Sequence, residues 1–255
     1  MSVGHGKMAH WLAFWHGRLA RGGDVIHTGE APVPRRGHEL TVAALAFGLG
    51  VLSAIACRYA GGGTLGLYLA PLVFVVLLVA PLVLAVPHSL LAAGVVPLLA
   101  AAGVSVIWLT SGPAAWGEVF ACALVLLSVA LLAGGLALIL ARGLGSATVG
   151  GAVAVVVLLV WLTWPIWLSA SLESSAGQRL TPQLTVFQPL LAVNAVVKEL
   201  GIWTQQRVMY NLTALGQHVS YGLPESIWPC VLAHGLTGLA LGAMARRRRT
   251  MSDKA

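Results

Sequence analysis

Charge is what this chain has least of. Only 9% of its 255 residues are charged, against roughly 25% in a soluble domain. With 58% hydrophobic residues and a mean hydropathy of +0.87, the composition is that of an integral membrane protein. Between Leu40 and Leu172 the charged residues are Arg58, Glu118 and Arg142 alone. Aspartate is almost missing: Asp24 is the only one before the tail, so proton relay through membrane carboxylates has no carrier beyond Glu118. The three cysteines, Cys57, Cys122 and Cys230, lie in apolar segments without CxxC spacing, which argues against a disulfide framework or a zinc site. No GxxxxGK[ST] occurs, so the chain carries no nucleotide-binding loop. No serine or cysteine has the His–carboxylate company of a nucleophile, and no catalytic residue is expected. Residues 1–40 hold no apolar core ahead of a small-residue cleavage site, so no signal peptide is expected.

What is present is long apolar runs. A helix crosses a bilayer in about 20 apolar residues, and spans are expected near 40–57, 64–86, 89–110, 115–141, 148–170 and 228–245. CRYAGGG, Pro87-His88, SGPAAWGE and ARGLGS punctuate the first five. Arg246 to Arg249 end the last. The net charge of +7 points to topology rather than to nucleic acid, because the basic residues gather near the chain ends. Lys7, Arg18, Arg21, Arg35 and Arg36 precede span one, Arg142 follows span four, and the arginine run follows span six. An even span count puts all three groups on the cytoplasmic side, as the positive-inside rule requires.

The stretch VFQPLLAVNAVVKELGIWT, residues 186–204, tests that count. As a seventh crossing it would move the arginine tail outside and bury Lys198 and Glu199, which costs several kcal/mol in hydrocarbon. Residues 172–227 therefore read as one external helical insertion, with helices near 185–200 and 201–216 at or dipping into the outer interface. Leu190, Val193, Val197 and Ile202 would face the bundle, while Gln188, Asn194 and Lys198 find polar contacts. Trp203, Gln206, Arg207 and Tyr210 would form its exposed surface, an exit cap or a partner-binding face. Trp203, Tyr210, Tyr221 and Trp228 suit headgroup level.

Before span one, MAHWLAFWHGRLARGG places Met8, Trp11, Leu12, Trp15 and Leu19 on one helical stripe. Trp11 and Trp15 with Arg18 and Arg21 make an amphipathic helix that would lie on the inner leaflet and attract anionic lipid. The fold class is thus all-α: six transmembrane helices, an N-terminal interface helix and a helical external insertion. Residues 1–39 are the helix and linker, 40–245 the membrane domain with insertion 172–227, and 246–255 a basic cytoplasmic tail.

Inside the spans, Glu118 beside Trp116 reads as an interfacial cap. Gly238 and Gly242 form a GxxxG that reads as close helix packing. His88 and His234 are the candidates for haem. They fall toward opposite ends of their spans, so helix–helix hydrogen bonding is the preferred reading and no cofactor or metal is expected.

Residues 136–162, LALILARGLGSATVGGAVAVVVLLVWL, and FQPLLAVNAVV carry a resemblance. With the interface helix, six spans and the insertion before the last one, the chain resembles the permease subunit of the second class of ABC exporters. The resemblance implies a subunit forming half of a translocation path, without enzymatic activity of its own. It also implies a separate ATPase subunit, a second permease, and Arg142 in a cytoplasmic turn, in a bacterial inner membrane. The family's charged coupling helix between spans two and three is replaced here by VLAVPHSLLAAG, uncharged except for His88. The alternative is a structural subunit bound to other membrane subunits of a larger respiratory or photosynthetic complex.

Overall fold

The structure is a computed structural model that describes residues 36–59, 63–85, 90–111, 114–197 and 223–252. The predicted interface helix with Trp11, Trp15, Arg18 and Arg21 lies outside the described residues, as does the surface of Trp203, Gln206, Arg207 and Tyr210. His88, Lys198, Glu199, Ile202 and the expected helix at 201–216 also lie outside them.

Among the described residues every regular element is a helix. We number them α1 (Arg36–Tyr59), α2 (Gly63–Ala85), α3 (Leu90–Ser111), α4 (Trp116–Gly143) and α5 (Ala147–Leu162). The short α6 (Trp164–Trp167) and α7 (Ser169–Leu172) lead to α8 (Ser175–Val186), α9 (Pro189–Val197) and the closing α10 (Trp228–Ser252). Among the described residues five stretches are long and apolar enough to cross a membrane: Leu40–Tyr59, Leu67–Ala85, Gly94–Ser111, Trp116–Gly143 and Trp228–Arg246. The chain is a membrane-embedded helical protein.

The 28-residue α4 is the hub, packed against α2, α3, α5, α9 and α10. Lipid-phase packing rests on close backbone approach at small residues, and glycines supply it here. A Cβ on Gly238 of α10 would strike the backbone of Leu131 and Leu132, and one on Gly135 would strike Gly238 itself. On the other flank, Gly50 of α1 lies against Ala100, and Gly103 of α3 lies against Phe47. The GxxxG of the last span therefore works through Gly238, within the chain. The α4–α5 hairpin turns at Gly145, with φ of +66°, a left-handed backbone that glycine adopts freely. Ser146 then caps α5, its side chain accepting from the Val149 N–H at 3.3 Å.

The expected span at 148–170 is shorter than predicted. α5 has 16 residues, about 24 Å of helix, and ends at Leu162. Pro165 has no N–H to give the preceding turn, and Thr163 turns its hydroxyl back onto the Leu159 carbonyl at 2.6 Å. The run stays apolar across the break, so hydropathy alone extended it.

Three tryptophans mark one end of the bundle. Trp116 opens α4, Trp167 follows α5 and Trp228 opens α10, and they are 78%, 70% and 56% exposed. Exposed tryptophan at helix ends is the signature of headgroup level. Arg142 and Arg246, both exposed, stand toward the opposite end, in the last turn of α4 and beyond the apolar part of α10.

Candidate functional site

Two features break the apolar uniformity of the bundle. The first is the segment after α5. α8 carries polar residues along most of its length and starts at Ser174, whose side chain accepts from the Gly177 N–H at 3.1 Å. After Phe187 the chain bends by 67° and re-enters as α9. Gln188 stitches the bend: its Nε2 donates to the Leu162 carbonyl at 2.7 Å, and its Oε1 accepts from the Leu190 N–H at 3.3 Å. That bond satisfies a carbonyl that the end of α5 would otherwise leave open.

The helix expected near 185–200 is seen as α9, which packs against α4 and α2 with Leu191, Ala192, Val193 and Val197 buried. Val193 and Val197 face the bundle and Gln188 has polar partners, as expected. Leu190 is half-buried against the same core. Asn194 departs from the expectation. It is fully buried, and both its Nδ2 and its Oδ1 lack a hydrogen-bond partner. The helical register that buries Val193 and Val197 carries Asn194 inward with them.

The second feature joins α5 to α10. Trp161 Nε1 donates to His234 Nε2 at 2.9 Å. Indole is a donor only, so Nε2 is the acceptor and the ring proton sits on Nδ1. Nδ1 lies 2.7 Å from the Cys230 carbonyl and donates to it. His234 is therefore a neutral imidazole with both nitrogens engaged, and its role is the helix–helix hydrogen bonding read from the sequence. Beside this pair, a groove of about 450 Å³ opens on the flank of α4, α5 and α10. Leu136, Val157, Thr237 and Leu241 line it together with Phe187 from the bend.

The other residues singled out in the sequence lie apart from these two features. Glu118 Oε2 accepts from the Ala115 N–H at 2.9 Å, which makes it a cap of α4. Arg142 sits in the last turn of α4, at its negative dipole end. Cys57, Cys122 and Cys230 are buried and free. Among the described residues no His, Cys, Asp and Glu gather in a group that could hold a metal. Trp161 escaped sequence reasoning. The signal for it was an indole, whose N–H usually finds an acceptor when buried, directly after the aliphatic run 152–160.

Compared with family models, curated proteins and solved structures, the chain matches none.

Proposed function

We propose that this chain is an ABC-exporter-type permease subunit that forms half of a translocation path and is energised by a separate ATPase subunit. The observation that carries the reading is α9 with Asn194. Broken backbone at membrane depth is tolerated only where it is buried in protein or lines a water-filled path. A scaffold gains nothing from an unpaired buried amide, which costs about 1–3 kcal/mol. A transport subunit gains a polar group that comes into play when α9 moves. In this reading the five long apolar helices and the shorter apolar α5 make six crossings, with α8–α9 outside that count.

In this reading both termini are cytoplasmic, in a bacterial inner membrane. Trp116, Trp167 and Trp228 then lie in the outer leaflet, with Arg142 and Arg246 inside. The ATPase docks on the Arg142 turn and on the N-terminal helix of Trp11, Trp15, Arg18 and Arg21, since residues 83–94 offer it no charge. A second permease completes the path, and Trp203, Gln206, Arg207 and Tyr210 cap its exit.

The stretch 83–94, uncharged except for His88, favours a second reading, a structural subunit of a larger membrane complex that does not couple to an ATPase. Purification of the tagged full-length chain from its own host in mild detergent separates the two. A copurifying ATPase subunit with ATP hydrolysis supports the permease. Copurifying redox or pigment subunits, with a Soret or chlorophyll band that rises with this chain, support the scaffold.

A further inference from the structure

We propose that the groove between α4, α5 and α10 is a binding site for one acyl chain of a bilayer phospholipid, drawn from the leaflet on the tryptophan side. The inference stands apart from the transport reading. Three observations carry it.

Depth is the first. Along α10 the groove runs from Ala233 to Leu241. At about 1.5 Å per residue these stand ~8 and ~20 Å along the helix from Trp228, an exposed helix-end tryptophan that serves here as the headgroup marker. Half of a ~30 Å hydrocarbon core is ~15 Å. The groove therefore covers the acyl region of a single leaflet and stops near the midplane.

The chemistry of the wall is the second. Leu136, Val157 and Leu241 offer only hydrocarbon. The two strongest hydrogen-bonding groups, Trp161 Nε1 and His234, are spent on each other and on the Cys230 carbonyl. Thr237 adds one exposed hydroxyl. Among the described wall residues none is ionised. A ligand with a polar body would find that one hydroxyl in place of its hydrogen bonds to water, whereas a methylene chain loses none.

Shape is the third. A volume of about 450 Å³ lies within the range of ordinary ligand clefts. It is open toward hydrocarbon, and a packed protein interior leaves no comparable void. An acyl chain seated there also touches Phe187, at the bend from which α9 re-enters the bundle.

The test uses the full-length protein in nanodiscs of phosphatidylethanolamine and phosphatidylglycerol, doped with a phospholipid that carries a diazirine midway along one acyl chain. After irradiation, adducts are mapped by peptide mass spectrometry. Leu239, exposed on another face of α10, reports ordinary lipid contact. Adducts at Leu136, Val157 and Thr237 should exceed those at Leu239 several-fold. Thr237→Phe should abolish that excess while leaving Leu239 labelling unchanged. Val157→Trp does the same from the α5 wall, and serves if the first variant does not fold. Equal labelling of groove and Leu239 in the wild-type protein, or an excess that survives both substitutions, overturns the proposal. Displacement of the adducts by excess free fatty acid, with phospholipid constant, would identify the occupant as a free amphiphile and overturn it equally.

Discussion

Trp161 Nε1 meets His234 Nε2 at 2.9 Å across 73 residues of sequence, and this bond ties α5 to α10 beside the lateral groove. Trp161→Phe removes the donor and leaves a buried acceptor unpaired. The expected loss is on the order of 1 kcal/mol, in keeping with interhelical bonds in membranes. Trp161→Phe combined with His234→Leu should lose less than the sum of the single changes, because no orphaned group remains. Thermal unfolding in detergent across the double-mutant cycle measures it.

Gly238 gives a steric prediction. Its missing Cβ is what lets α10 lie on the backbone of Leu131 and Leu132. Gly238→Val should cost about 1–3 kcal/mol through overpacking and lower the yield of folded protein. Gly48→Ala is the control, since a Cβ there meets nothing within 4 Å. The control should unfold at or slightly above the wild-type temperature.

Asn194 predicts a gain. Both polar atoms of its buried amide are unpaired, so Asn194→Leu, nearly the same in volume, should stabilise the fold by about 1–3 kcal/mol. The melting temperature should rise. If the amide serves the path, transport should fall in the same variant, the usual exchange between stability and activity.

The topology yields a labelling prediction. Under the proposed orientation, a cysteine replacing Arg18 should resist a membrane-impermeant thiol reagent added to intact cells and react in inverted vesicles. A cysteine replacing Ser226, exposed just before α10 at the tryptophan end, should behave the opposite way.

Five spans were legible in the sequence because each apolar run is closed by its own turn chemistry or charge. The break in α5 was not. Thr163 and Pro165 lie inside an apolar run, and hydropathy does not register a lost backbone donor. The insertion was legible as helical and as carrying apolar residues toward the bundle. Which elements hold it was not, because α9 is held by Gln188 reaching the end of α5 and by α4 and α2 behind it, and these are contacts between distant segments. Glu118 could be read as a cap from its place beside Trp116 at the start of its span, a purely local relation. The Trp161–His234 pair depends on the register between two spans, which neither span encodes alone.

The central claim is that α9 moves as part of a transport cycle. It is tested most directly by thiol labelling of Asn194→Cys, with Cys57, Cys122 and Cys230 replaced by alanine, in membrane vesicles from the native host. The account predicts little modification at rest, where residue 194 is buried, and a clear rise when ATP and magnesium are supplied. Labelling that is the same with and without ATP would contradict it.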